Sequence, residues 1–335
     1  MKSLLLAAAL AAPVLLASAA EASVTPPVPT GSAPVGFTHT TLTDHFRVEP
    51  LAGDTGSRRV PLRIWYPAAA PAAQPARTLT AVEQAAWEDE AQAPHGTLDG
   101  LGAAATEGAP PAAGAHAVLL LSPGKGETTA LQSAHAADLA SHGYVVVGMD
   151  HPGDTTHLDT GDGVLVPAVI DQASAETIAI RSRDMRFVLS RLGSLRGIGR
   201  LALDRIGAFG HSNGGATAAD AMLADRRIRA GVDMDGALYG PAVQRGLDRP
   251  FGFMQGNLPV EFYGTIDEFR HRTRGPSPIA YFPEGAHHSF ADNVWLVPQL
   301  GLDPVESDVG TGDPVAAVRR QNALLNRFFD RYIKG

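Results

Sequence analysis

Ile206-Gly207-Ala208-Phe209-Gly210-His211-Ser212-Asn213-Gly214-Gly215-Ala216 is the stretch on which the reading of this chain turns. The small and apolar run Ile206 to Phe209 leads into Gly210-x-Ser212-x-Gly214, and a helix-compatible segment, Ala216 to Leu223, follows. A strand that bends sharply into a helix strains the residue at the bend. Small residues on both sides of that residue let strand and helix approach each other. The bend exposes Ser212 Oγ at a helix N-terminus, where backbone N–H groups favour negative charge. Ser212 is therefore the candidate nucleophile, with an ordinary Gly-rich turn as the bland alternative.

Working outward, apolar strands are expected at Ala117 to Leu121, Tyr144 to Met149, Arg205 to Phe209, Ala230 to Met234, Phe251 to Gln255 and Ile279 to Phe282. Helix-length segments lie between or after them: Thr128 to Ser141, Ala173 to Leu195, Ala216 to Asp225, Val260 to Arg272 and Pro314 to Ile333. Near-continuous apolar strands alternating with helices imply a parallel sheet covered on both faces. Two earlier β-like runs, His45 to Glu49 and Val60 to Tyr66, flank a turn at Gly53-Asp54-Thr55-Gly56. Antiparallel strands first and βα units afterwards are the order of an α/β-hydrolase fold, with a mostly parallel sheet of about eight strands. Residues 68–114, dominated by Ala, Pro and Gly, read as an insertion. It holds a short helix near Val82 to Gln92, started by a Thr80/Glu83 capping box.

The chain has 335 residues, 44% apolar and 19% charged, enough for one large domain spanning residues 36–335. A net charge of -8 argues against a dedicated nucleic-acid binder. Lys2, the apolar run Leu4 to Leu16 and small residues up to Ala22 have the layout of a secretory signal over residues 1–22. A secreted or periplasmic protein is expected, with residues 23–35 as a flexible leader. There is no cysteine, hence no disulfide and no lipid anchor on Cys. No later segment has the roughly 20 apolar residues that a stable membrane span requires.

A serine hydroxyl needs a base, and the base needs an orienting group. Downstream of Ser212 the histidines are His271, His287 and His288. His271 sits between Arg270 and Arg272 in a charged helical stretch, whereas His287 and His288 follow the last strand, where a base can reach the bend. Spacing does not choose between the two. For the acid, Asp235 at the end of the strand Ala230 to Met234 competes with Asp233, one turn of the pleat deeper, and with Asp267 after the next strand. A tetrahedral intermediate needs two backbone donors. Asn213 follows the nucleophile, and Lys125 in Ser122-Pro123-Gly124-Lys125-Gly126 follows an earlier strand.

Trp65-Tyr66-Pro67, Leu121-Ser122-Pro123-Gly124-Lys125-Gly126, Asp138-Leu139-Ala140-Ser141-His142-Gly143-Tyr144, the Ser212 motif, Asp233-Met234-Asp235-Gly236 and His287-His288-Ser289-Phe290-Ala291-Asp292 form an ordered set. It resembles the platelet-activating-factor acetylhydrolase family, in its bacterial lipase-like branch, from about Phe37 to the end. The resemblance implies an ester hydrolase that needs no metal and no organic cofactor, acting on a small-molecule or lipid ester. It implies Asp235 as the acid, His287 as the base, and Lys125 as the second oxyanion donor. The chain departs from the family where Pro123 replaces the usual His before Gly124, and residues 68–114 have no family counterpart. The same machinery on a polyester, lactone or amide, or a binding protein that kept the fold without turnover, are the rival readings.

Four other features carry expectations. Asp150 to His157 gathers Asp and His as a metal site would, but with the spacing of a polar loop at the site's mouth. Asp159-Thr160-Gly161-Asp162-Gly163 has the look of a calcium loop without the distal Glu. Arg181, Arg183, Arg186 and Arg191 are expected on a solvated or ion-paired helix face, and Trp87 either as a lid anchor or as a hydrophobic staple.

Overall fold

The computed structural model describes residues 23–48, 56–170, 172–257 and 259–335. The expected signal segment, residues 1–22, lies outside the described residues, as do Gly53 to Thr55 of the expected turn.

Two long strands open the fold. Strand β1 (Val35–Val48) pairs antiparallel with β2 (Ser57–Pro67) from Val35 opposite Pro67 to Val48 opposite Ser57. The first strand begins ten residues before the expected His45, because its backbone pairs with β2 continuously from Val35 opposite Pro67 onward. A two-residue strand, β3 (Thr106–Glu107), borders β1. Then come β4 (Ala115–Ser122) and β5 (Val145–Met149), a small hairpin of β6 (Leu158–Asp159) and β7 (Leu165–Val166), and the parallel strands β8 (Arg200–His211), β9 (Ile228–Met234), β10 (Phe251–Gln255) and β11 (Ile279–Tyr281). The main sheet runs β11-β10-β9-β8-β4-β5-β2-β1-β3. It has nine strands rather than about eight, the extra one being β3 inside the insertion.

Alternate residues of the central strands feed opposite layers. Val118, Leu120, Val145, Val147, Ile206 and Ala208 pack beneath α3 (Ala175–Arg191), α4 (Asn213–Ala224), α5 (Pro241–Arg245) and α6 (Val260–Arg272). Ala117, Leu119, Leu121, Val146, Phe209 and Val232 meet α2 (Ser133–Ser141) and α8 (Pro314–Phe329) on the other face. Each Val, Leu or Ile removed from water in this way contributes about 1.5–3 kcal/mol. A sheet buried on both faces is therefore nearly continuous in apolar residues, the signal visible in the sequence.

The insertion is built into the body. Its helix α1 (Ala81–Glu90) starts at a Thr80/Glu83 capping box, and Glu83 pairs with buried Arg63 of β2 at 2.5 Å. Leu79, Trp87 and Leu101 form a third cluster with Val24, Leu131 and Trp295, the last on α7 (Asn293–Gln299). Trp87 packs edge-on against His157, their rings 5.0 Å apart. Residues 23–35, expected as a flexible leader, are tied down as well. Val24 is buried, the Thr25 amide donates to Gln299 Oε1 and Thr30 donates to Asp138 Oδ1. Composition suggested a linker, but the backbone groups find tertiary partners that low-complexity sequence does not advertise.

Candidate active site

The C-terminal ends of β4, β8 and β9 converge with the loop after β11, the crevice where open α/β sheets place their chemistry. At the end of β8, Ser212 has φ 53° and ψ -121°, a left-handed conformation that costs a non-glycine residue on the order of 1–3 kcal/mol. Pairing of β8 with β4 on one side and β9 on the other holds it, and its amide donates to Met234 O at 2.9 Å. The two motif glycines are steric requirements: a Cβ on Gly210 or Gly214 would run into the Ser122 carbonyl of β4. Helix α4 begins at Asn213, whose amide, as the first of the helix, has no intrahelical acceptor.

Asp235 ends β9, also at positive φ (59°), with its amide on Met254 O at 2.7 Å. Gly256 N donates to its Oδ1 at 2.6 Å, leaving Oδ2 to face His287 Nδ1 at 2.8 Å. The other nitrogen of that ring, Nε2, lies 3.0 Å from Ser212 Oγ. His287 opens a short helical turn whose loop is fastened on several sides. Ala286 N donates to Ser289 Oγ, Ser289 Oγ to Val309 O, and His288 N to Asp308 O. The His287 side chain is 25% exposed and Asp235 is fully buried, so the imidazole faces the crevice while the carboxylate is shielded. Burial holds the His287 imidazole below its ordinary value, Asp235 pulls it up, and His211 and His288 push it down. The net effect is a ring that stays unprotonated, and able to accept a proton, to lower pH than a free histidine.

The rivals for these roles are elsewhere. Asp267 is 75% exposed on α6, 4.0 Å from Arg270. Asp233 is fully buried behind the bend, accepts Gly236 N at 3.1 Å, and is pushed well above the carboxylate range by burial and by Asp235. His288 turns to Glu127 Oε1, 3.4 Å away. Lys125 sits in the loop after β4, where both neighbouring amides are fixed by carboxylates: Gly124 N by Glu127 Oε2 at 2.9 Å and Gly126 N by Asp154 Oδ1 at 3.0 Å. The loop's orientation at Lys125 is thus set from both sides.

Sequence reasoning missed the scaffold under this loop. Arg181, expected on a solvated or ion-paired face, is buried. It pairs with Asp154 at 2.8 Å and donates to Ser122 Oγ and the carbonyls of Pro123 and Gly124. Asp150 and His151, weighed as metal ligands, are buried in protein hydrogen bonds: Asp150 accepts Thr129 N, and His151 bridges Ser122 Oγ and Asp184 Oδ2 at 2.9 Å each. Asp159 Oδ1 accepts the amides of Gly161, Asp162 and Gly163, an Asx-type turn. Among the described residues no group of three or more His, Asp or Glu is arranged to hold a metal.

No protein-family model matches the chain. A probable 1-alkyl-2-acetylglycerophosphocholine esterase of Arthroderma benhamiae is 30% identical over 224 residues, which is 60% of this chain. The match spans 56% of that relative's length, about half of it. Among solved structures, a ferulic acid esterase from Streptomyces cinnamoneus superposes with a TM-score of 0.81 and 27% identity, covering 94% of each chain. The chain has the α/β-hydrolase fold, and in both sequence and structure it is similar to esterases, among them a relative of the platelet-activating-factor acetylhydrolase kind.

Proposed function

We propose that this chain is a serine ester hydrolase acting through an acyl-enzyme, with Ser212 as nucleophile, His287 as base and Asp235 as the orienting acid. The observation that carries the reading is the hydrogen-bonded series Ser212 Oγ to His287 Nε2 (3.0 Å) and His287 Nδ1 to Asp235 Oδ2 (2.8 Å), centred on a strained, accessible serine. The similarity to two esterases supports the same reaction class.

In the first step His287 Nε2 takes the hydroxyl proton while Oγ bonds to the ester carbonyl carbon. The charge that moves to the carbonyl oxygen is met by the amides of Asn213 and Lys125. Collapse breaks the bond to the alcohol oxygen, which leaves with the proton from His287. Water then repeats the sequence, its proton going to His287 and returning to Ser212 as the acid leaves. Asp235 accepts Nδ1–H throughout, fixing the tautomer and stabilising the imidazolium. No step calls for a metal or organic cofactor.

The substrate is a small-molecule or lipid ester. The two similar proteins are esterases of an acetylated glycerophospholipid and of ferulic acid, which supports an ester substrate. Export to the periplasm or medium is part of the same proposal, supported by the Lys2 and Leu4 to Leu16 pattern. Among the described residues no helix is long and apolar enough to cross a membrane. The test is hydrolysis of p-nitrophenyl esters from acetyl to palmitoyl by wild type and Ser212→Ala, with fluorophosphonate labelling alongside. Turnover lost together with labelling on substitution supports the proposal. An unlabelled, inactive wild type would leave the binding-protein reading standing.

A further inference from the structure

The residue between Gly210 and Ser212 is a histidine whose ring turns inward and is fully buried. His211 Nε2 lies 2.9 Å from the backbone oxygen of His287, and Nδ1 lies 2.9 Å from Glu127 Oε2. A backbone carbonyl can only accept, so Nε2 carries a hydrogen. Glu127 Oε2 accepts the Gly124 amide at 2.9 Å, and the neighbouring imidazoles hold this carboxyl ionised, so the acceptor-only carboxylate leaves Nδ1 to carry a hydrogen as well. With both nitrogens protonated the ring is an imidazolium, and Glu127, itself buried, is its counter-ion.

This pair touches both the oxyanion loop and the loop of the proposed base. Glu127 holds Gly124 of the oxyanion loop and, through Oε1, faces His288 at 3.4 Å. His211 immediately precedes the nucleophile and holds the backbone of the base, their rings 4.6 Å apart. The charged and titratable groups facing His211 are Glu127, Asp235, Asp233, His287 and His288; those facing His287 are Asp235, His211 and His288, with the Ser212 hydroxyl. Burial alone would strip the proton from His211, but the Glu127 carboxylate reverses that, and the two imidazoles of His211 and His288 in turn hold Glu127 well below the carboxylate range.

We propose that His211 is a constitutively protonated positioning residue which, clamped by Glu127, ties the oxyanion loop to the base loop and keeps His287 free of a resting proton. This rests on the reading of His287 as the base. The His211 ring lies 4.6 Å from that of His287, so its charge repels a proton there, while Asp235, bonded to Nδ1, stabilises the proton transferred during turnover.

The double variant His211→Gln/Glu127→Gln removes both charges while keeping groups able to hydrogen-bond, and so strands no buried ion. The acid limb of its kcat/KM profile on a p-nitrophenyl ester is expected to move up by roughly one pH unit. Plateau kcat should fall on the order of tenfold, with KM within about twofold. A purely structural bridge would lower activity without moving the limb, so a folded double variant with an unmoved or lowered limb overturns the proposal. Should the variant fail to fold, nitrogen NMR of the wild type decides. Both ring nitrogens of His211 must be protonated on either side of the pH at which His287 titrates, and a bare nitrogen on His211 overturns the assignment. That spectrum does not depend on turnover, so a failure here is distinct from a failure of the hydrolase reading, which Ser212→Ala tests.

Discussion

Two Ser–His–Asp triplets stand within the described residues of the same fold, and only one of them opens to the crevice. Ser212, His287 and Asp235 are joined at 3.0 and 2.8 Å; Ser122, His151 and Asp184 are joined at 2.9 and 2.9 Å. By residue type and hydrogen-bond length the two are nearly indistinguishable. Their surroundings separate them. Ser122 lies on the regular strand β4 with its whole triplet at 0% exposure, whereas Ser212 stands at a strained bend and His287 reaches the crevice. Arg181 also donates into Ser122 Oγ at 3.1 Å, so the hydroxyl is spent as an acceptor there and as a donor to His151. Asp184 carries a buried bidentate bond from Arg58 (2.9 and 2.6 Å) besides His151, and is held far below the carboxylate range by that guanidinium despite burial. One triplet presents its serine at the crevice, the nucleophile of the proposed mechanism. The other lies buried beneath the β4 loop and accepts through Ser122 Oγ from Arg181, which itself donates to the carbonyls of Pro123 and Gly124.

The largest effect that tests this contrast is on Ser212. Ser212→Ala should lower kcat on p-nitrophenyl esters on the order of 10⁶-fold, and mass spectrometry should find a fluorophosphonate adduct on Ser212 and none on Ser122. An adduct on Ser122 would break the distinction outright. Next come the two aspartates. Asp235→Asn should drop kcat about 10⁴-fold through the wrong His287 tautomer, with a melting temperature close to wild type. Asp184→Asn should instead strand Arg58 and cost about 3–5 kcal/mol in urea unfolding. If the stability loss fell on Asp235→Asn and not on Asp184→Asn, the roles would have to be exchanged.

Acid sharpens the comparison further. His287 must be unprotonated to act, and its value lies below the ordinary 6.5, so the kcat/KM acid limb should have its midpoint below that pH, activity falling as pH drops through it. His151 is lowered from 6.5 to about 4, by burial first and then by Arg181. Between those two values the unfolded chain binds a proton at His151 that the folded chain does not. Its contribution to stability is therefore complete above pH 6.5 and is lost on acidification toward pH 4. The wild-type slope of unfolding free energy against pH in this window should exceed that of His151→Gln by roughly 1 kcal/mol per pH unit. Equal slopes would mean that His151 is charged in the fold. The smallest effect is expected for Ser122→Ala: about 1–3 kcal/mol of stability lost, with esterase activity within about tenfold of wild type.

Much of this arrangement is legible in the chain. The runs that became β4, β5, β8, β9 and β10 are visible because strands buried on both faces are nearly continuous in apolar and small residues. The bend is visible because Gly210 and Gly214 are steric necessities next to Ser122 O. Residues 23–35 and 68–114 show the limit of composition: it suggests a leader and an insertion with one capped helix, and α1 is there, yet only packing shows that Val24, Leu79, Trp87 and Leu101 share one cluster. Glu127, His151 and Arg181 were illegible as a scaffold. A buried charge looks like any other until its partner arrives, and Arg58 is 126 residues from Asp184.

By itself the sequence determined the elements, their order, and a serine forced into the open at a strand-to-helix bend, because periodicity and backbone sterics act over a few neighbouring residues. The choice of Asp235 over Asp233 and Asp267 as partner to His287 is a matter of tertiary structure, as is the separation of the exposed triplet from the buried one. Those partners meet across 52 and 75 residues of chain, and what brings them together is the order in which strands lie side by side in the sheet.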